Sequence, residues 1–175
     1  MIRSILRHYR SADESQIAAG LDWYRNANEI CVALADRCGL PLDNVACAMA
    51  HLSPRVRWAQ NQRRLVQLLE TGTTYGISSH VDNARQSLYN TTPFDTFSAD
   101  ALKTKSFARN ITGDYQPVTV DMWAARAALG KVPESINRGM YRDLEAAYRR
   151  AAKRVGIAPA QFQAVVWCAI RGKSD

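Results

Sequence analysis

Lys103 and Asp121 are two residues whose side chains could take part in a reaction, and they lie 18 positions apart. Between them, Thr112-Gly113-Asp114 is expected to end a helix. A neutral lysine amine is a nucleophile that forms Schiff bases, and a fixed carboxylate stabilises positive charge that develops during a reaction. Lys103 requires burial or nearby cations to lower its pKa and provide the neutral amine. Both residues also have structural interpretations: Lys103 as a solvated helix lysine, and Asp121 as the N-cap of the following helix.

The cysteines and histidines indicate that this chemistry proceeds without a metal ion. The sequence contains no CxxC pair and no HExxH motif, so a zinc site or an iron–sulfur cluster is not expected. It also lacks GxGxxG and GxxxxGK[ST], the phosphate-binding loops of dinucleotide and nucleoside-triphosphate sites. No cofactor is therefore predicted. Cys31, Cys38 and Cys168 lie in apolar helical patterns and are interpreted as buried thiols.

The composition is that of a globular protein with an excess of positive charge. The 175 residues include 23 Lys plus Arg and 16 Asp plus Glu, a net charge of +7, and 47% are hydrophobic. The length suits one domain or two small lobes, and no apolar run approaches the roughly 20 residues of a membrane span. The N-terminus lacks the features of a signal peptide, so we expect a cytoplasmic protein. The basic excess favours a polyanionic partner, although it also promotes solubility.

The hydrophobic periodicity is almost entirely helical and predicts an all-α fold without an autonomous sheet. Capping residues and glycines set the expected helix ends, with Ser53-Pro54 opening the third helix and a break near Gly139 in the seventh. Residues 90–98 are predicted to form a loop, and residues 118–120 a short extended segment. The predicted helices cover about 13–38, 43–51, 54–71, 81–88, 99–111, 122–129, 134–155 and 159–171.

Three segments occur in the order 52–58 (LSPRVRW), 103–121 (KTKSFARNITGDYQPVTVD) and 163–167 (QAVVW). Together they resemble the helix-hairpin-helix DNA glycosylase superfamily, which includes endonuclease III and the 8-oxoguanine glycosylases. Residues 103–121, KTKSFARNITGDYQPVTVD, resemble the stretch that carries the catalytic lysine and aspartate. Residues 52–58, LSPRVRW, resemble the segment that fills the hole left by a flipped base, and residues 163–167, QAVVW, resemble a base-reading segment. The resemblance covers roughly residues 45–170, and short phage-encoded and actinobacterial relatives look closer to this sequence than the longer members.

The resemblance implies a compact, two-lobed helical bundle acting as a monomer on double-stranded DNA in the bacterial cytoplasm, with no membrane partner. Lobe A would comprise about 1–45 and 131–175, and lobe B about 46–130, with the hairpin-like region at 97–111. The implied activity flips a modified or damaged base out of the duplex and excises it. A lysine Schiff base would add strand cleavage at the abasic site.

The resemblance also assigns roles to individual residues. Lys103 would be the nucleophile and Asp121 the electrostatic or base residue, while Arg55 would fill the space of the flipped base. The implied base pocket consists of Gln163, Trp167 and Phe107, and the implied DNA contacts are Arg55, Arg57, Arg63, Arg64, Lys105 and Arg126.

Two alternatives remain open at this level. The family's LPGVG hairpin is replaced here by FSADAL at residues 97–102, which places an aspartate where backbone amides normally meet a DNA phosphate. This departure favours a DNA-binding or base-sensing module without catalysis. The other alternative is an enzyme that modifies an unusual base in phage DNA rather than excising it.

Overall fold

The computed structural model describes residues 1–172 and is helical over that range, which confirms the predicted all-α class. These residues form nine α-helices, one short 3₁₀ helix (Pro93–Thr96) and no strand. None of the helices is both long enough and apolar enough to span a membrane. The α-helices are α1 (Ile2–Arg10), α2 (Glu14–Cys38), α3 (Leu42–Leu52), α4 (Trp58–Thr71), α5 (Ser78–Tyr89), α6 (Leu102–Ile111), α7 (Met122–Leu129), α8 (Arg138–Val155) and α9 (Pro159–Arg171).

Local capping explains where several helices begin and end. At the start of α2, Asp13 Oδ1 accepts the amide of Gln16 at 2.8 Å, and Gln16 Oε1 accepts the amide of Asp13 at 3.1 Å. This reciprocal pair is a capping box and satisfies two amides that the helix leaves unpaired. Gly130 ends α7 in a left-handed conformation, with φ of 75°.

The predicted starts of four helices were wrong by three or four residues, and the first of these is α5, which begins at Ser78 instead of residue 81. Residues 53–57 form a turn instead of the first turn of α4, because the Ser53 hydroxyl donates to the Ala50 carbonyl at 2.8 Å and caps the end of α3. The helix predicted from residue 99 begins at Leu102 after a turn in which the Ala101 amide donates to Ser98 O at 3.0 Å. The start of α8 is set by Asn137, whose Oδ1 accepts the Met140 amide at 2.9 Å.

The chain divides into two compact units. Unit 1 contains residues 1–26 and 113–172 of the described chain, and unit 2 contains residues 27–112. The sequence prediction placed the lobe boundaries near 45/46 and 130/131 instead. The difference assigns α7 and its cap Asp121 to unit 1, because α7 packs against α1, α8 and α9.

Unit 1 is built around α9. Helices α1, α7 and α8 pack on it, and Tyr148 and Phe162 are fully buried in the core. Gly20 on α2 lies directly against α9, since a Cβ atom at Gly20 would be 2.4 Å from the Cα of Val165. Only a glycine permits this approach between the two backbones.

Unit 2 is built around α3, whose residues from Asn44 to Leu52 are all buried. Helices α4, α5 and α6 pack against it. Polar groups tie α3 to its surroundings: Asn44 Nδ2 donates to the carbonyls of Ser87 and Asn90 at 2.7 and 2.8 Å. His51 Nε2 lies 2.9 Å from Thr96 Oγ1, next to the 3₁₀ helix. These bonds satisfy polar groups that burial would otherwise leave unpaired.

Candidate nucleic-acid interface

Asp121 lies at the junction between a buried segment and the N-terminus of α7. Val118, Thr119 and Val120 are buried, and the Tyr141 hydroxyl fixes this segment by donating to Val118 O at 2.7 Å. Asp121 then caps α7, with Oδ1 accepting the Ala124 amide at 2.7 Å. The capping role predicted for Asp121 is therefore present.

The second oxygen of Asp121 is also engaged. Trp167 on α9 donates its indole Nε1–H to Asp121 Oδ2 at 3.1 Å. Two N–H donors from different helices thus fix the orientation of a half-buried carboxylate. The negative charge of Asp121 acts on two buried tyrosines of the core. Burial, together with this charge, raises the pKa of Tyr24 and of Tyr148 well above the ordinary value. Both phenols are therefore neutral at physiological pH.

Trp167 also belongs to a group of three tryptophans and two arginines in unit 1, which we call the Trp–Arg cluster: Trp23, Trp123, Trp167, Arg126 and Arg171. The Arg171 guanidinium lies 4.4 Å from the centre of the Trp167 ring and 5.8 Å from that of Trp123. Arg126 lies 5.3 Å from the Trp123 centre, and Trp23 meets Trp167 edge-on at 6.5 Å. Trp123 is 37% exposed. Exposed aromatic faces stack on nucleobases, and arginines held by rings bind phosphates.

Two of the three predicted base-pocket residues are buried in the cores. Gln163 is 4% exposed, and its Oε1 accepts the Tyr24 hydroxyl at 3.2 Å. Phe107 is 7% exposed and packs edge-on against Trp58, with ring centres 6.3 Å apart. The structure brings Gln163 and Trp167 together one turn apart on α9 in unit 1, whereas Phe107 belongs to unit 2. Their burial favours structural roles for Gln163 and Phe107.

Lys103 and Lys105 lie in the first turn of α6 in unit 2, and both are half-buried. Burial raises the pKa of the Cys47 thiol on α3 to about 12, and the nearby charge of Lys105 acts in the opposite direction. Lys105 therefore lies on the side of α6 that is near α3. All residues from 97 to 111 have negative φ, so the hairpin-like region contains no left-handed residue.

The predicted DNA-contacting arginines of unit 2 lie on α4 and the turn before it. Arg55 and Arg57 are exposed, and Arg55 has a φ of 60°, the only left-handed non-glycine residue in the described chain. Arg63 is exposed on α4. Arg64 is half-buried with its guanidinium 4.6 Å above the Tyr75 ring, and its Nε has no hydrogen-bond partner.

The comparisons with known proteins place the chain in a family. The model of a protein family of unknown function, DUF7178, matches residues 1–174. The chain belongs to this family. Comparisons with curated proteins and with solved structures gave no match. Because the family match runs through both units, the Asp121 environment and the arginines of unit 2 all fall within it.

Sequence reasoning missed Trp23, Trp123 and Arg171. A local signal existed for Arg171, which follows Trp167 by four residues on α9, the spacing at which helical side chains meet. Trp123 follows Asp121 by two residues and is exposed, although its type alone suggested burial. Within residues 1–172, no group of three or more His, Cys, Asp or Glu side chains is arranged to hold a metal ion.

Proposed function

We propose that the protein binds DNA and excises a modified or damaged base that has been turned out of the duplex. The observation that carries this proposal is the Asp121 carboxylate, held by the Ala124 amide and the Trp167 indole beside the arginines and rings of the Trp–Arg cluster. The resemblance to the helix-hairpin-helix glycosylases supplies the reaction type.

The carboxylate suits the charge that base excision creates. As the bond between base and sugar breaks, positive charge develops on the sugar, and a fixed anion lowers the energy of that transition state. Each Asp121 oxygen accepts one N–H and retains a lone pair that can face the sugar. Because the two donors already hold the carboxylate, little reorganisation is needed when the charge appears.

The Trp–Arg cluster suits the binding of an unstacked nucleotide. The partly exposed Trp123 would stack against a base, and Arg126 and Arg171, whose guanidiniums lie over its ring, would present donors to phosphate oxygens. Stacking on a ring restricts each guanidinium in advance, so less conformational entropy is lost when a phosphate binds.

Lys103 keeps the role that the resemblance assigns to it. Its amine would bond to C1′ while the base leaves with the electrons of the broken glycosidic bond and takes up one proton from the nitrogen. Cleavage of the C1′–O4′ bond, with the second N–H proton passing to O4′, would then yield an imine. Lys103 is half-buried in the first turn of α6.

Borohydride trapping tests the proposal directly. The full chain is incubated with duplexes that each carry one altered base or an abasic site, with and without borohydride, and base release and covalent adducts are measured. We expect an adduct that disappears in Lys103→Ala and persists in Lys131→Ala, which removes an exposed lysine. Base release without an adduct would refute the lysine step only. No release and no adduct on any substrate would refute excision.

A second candidate function is DNA binding without excision. The hairpin-like region favours it, because every residue from 97 to 111 has negative φ and Asp100 is exposed. An exposed carboxylate at that position repels a phosphate. This candidate predicts salt-dependent DNA binding that survives both Lys103→Ala and Asp121→Asn, with no product formed.

A further inference from the structure

Helix α1 carries a row of arginines on its outer face. Arg3, Arg7 and Arg10 follow the i, i+4, i+7 spacing, which places them within about 60° of one another around the helix axis. All three side chains are exposed, whereas Ile5 and Leu6 on the inner face are buried. The row is about 10 Å long, because each residue rises about 1.5 Å along the axis.

Contacts with α7 connect this row to the Trp–Arg cluster within unit 1. The Ser4 hydroxyl on α1 donates to the Ala127 carbonyl on α7 at 2.7 Å. Burial lowers the pKa of His8, and the charges of Arg7 and Arg126 lower it further. Arg126 therefore lies near His8 of α1, the residue that follows Arg7 of the arginine row.

The charge pattern of these two helices is one-sided. Neither α1 nor α7 contains an Asp or Glu, so no carboxylate on either helix offsets the arginines. Arg3 and Arg7 are four residues apart, a spacing at which like charges destabilise a helix. Arg7 and Arg10 lie in the last turn of α1, where cations are favourable, but Arg3 gains nothing there, and an anionic partner would relieve its repulsion with Arg7.

We propose that the arginine row of α1 and Arg126 of α7 bind the phosphate backbone of DNA. Phosphates of one strand follow each other at about 3.4 Å along the duplex axis, so a 10 Å row that lies along this axis spans roughly three of them. Arginine suits this partner because its planar guanidinium binds phosphate oxygens in pairs. The backbone would continue past Arg126 toward Trp123, 5.3 Å away, where an unstacked base can bind. The proposal rests on the proposed DNA partner but not on base excision.

Fluorescence anisotropy with a labelled 20-base-pair duplex tests the proposal at NaCl concentrations between 50 and 300 mM. The test variant of the full chain is the triple substitution Arg3→Gln, Arg7→Gln and Arg10→Gln. The matched control, Arg150→Gln, Lys153→Gln and Arg154→Gln, removes the same charge from exposed positions of α8. Glutamine is a good helix former, and thermal melts verify that both variants fold.

We expect the α1 variant to lower the slope of log K against log salt by about 2 to 3 and to weaken binding at 100 mM NaCl by at least about 20-fold. The control is expected to change affinity by less than about 3-fold. Equal losses in both variants would overturn the proposal, because net charge alone would then explain binding. An unchanged α1 variant would overturn it as well, while leaving the DNA partner intact.

Two further outcomes separate this proposal from the proposed function. If the wild-type chain binds no duplex at 50 mM NaCl, both the DNA partner and the proposed DNA contact of the arginine row are refuted. If the chain co-floats with phosphatidylserine vesicles in a density gradient and the α1 variant loses only that binding, the arginine row contacts membranes and its proposed DNA contact is refuted. DNA binding that depends on the arginine row, with no base release, supports the proposed DNA contact of the row and contradicts excision.

Discussion

Acidification from pH 7 to pH 5 is expected to destabilise the protein through His51. The ring is 6% exposed and stacks on Phe97 with centres 4.1 Å apart. The Thr96 hydroxyl donates to Pro93 O at 2.6 Å, so its oxygen accepts from His51 and the neutral ring carries its proton on Nε2. Protonation would place a charge on this buried ring.

The size of the effect follows from the pKa of His51. Burial, with a smaller contribution from the charge of His80, lowers this pKa from 6.5 to about 4. Because the unfolded chain binds the proton more tightly, stability is present above pH 6.5 and is lost as the pH falls toward 4. The complete loss is roughly 3 kcal/mol, of which about 2 kcal/mol is lost between pH 7 and pH 5. That corresponds to a fall in melting temperature of about 4 to 8 °C.

Thermal melts of the wild type and of His51→Gln at both pH values isolate this effect. Glutamine still has an N–H to donate to Thr96 but does not titrate, so the difference between the two proteins removes the contribution of the carboxylates. We expect the wild type to lose about 2 kcal/mol more than the variant on acidification. Equal losses would refute the reasoning, as would an NMR titration that gives His51 a pKa near 6.5.

Three further predictions concern stability and reactivity. Gly20→Ala is expected to destabilise the protein by about 1 to 3 kcal/mol in urea denaturation, because its Cβ would lie 2.4 Å from the Val165 Cα. The control Gly139→Ala meets only an ordinary contact at 3.5 Å and is expected to be neutral or stabilising, so equal losses would contradict the packing argument. Asp121→Ala is expected to cost about 2 kcal/mol in urea because the cap and the bond from Trp167 are both lost, and Asp121→Asn about 1 kcal/mol because one acceptor oxygen remains; similar values would show that the cap oxygen is not responsible. Cys38, the only half-buried cysteine in the described chain, is expected to react first with a thiol reagent at pH 8, because burial raises the pKa of the other three thiols; peptide mass mapping that finds another cysteine labelled first would contradict this.

Local signals predicted much of the helical pattern. Asp13, three residues before Gln16, forms the start of α2, and Asp121 followed by Gly130 delimits α7. The bounds of α7 and α9 agree with the predicted ranges. These signals suffice because a cap depends on side chains within three or four residues of the helix end.

The rest depends on interactions distant along the chain or on competition between neighbours. Trp167 donates to an oxygen of Asp121 from 46 residues away, and Tyr24 donates to Gln163 from 139 residues away. Neither pair leaves a local signal in one sequence. Ser53 has the residue type to cap either α3 or α4, and only the folded chain shows that its hydroxyl serves α3. Helix α1 was not predicted. Its apolar face is too short to give a clear helical period, and the face is buried only because α1 packs on α7, α8 and α9.

The turn before α4 has a consequence for how the sequence tolerates change. Arg55 holds a left-handed backbone conformation in which the Cβ of a non-glycine residue costs about 1 kcal/mol, and its side chain is exposed. Arg55→Gly is therefore expected to raise the free energy of unfolding by up to about 1 kcal/mol. If DNA affinity falls in the same variant, selection for binding and selection for stability act in opposite directions at this position. Proteins of the same family that no longer bind DNA would then be expected to have glycine at the position of Arg55.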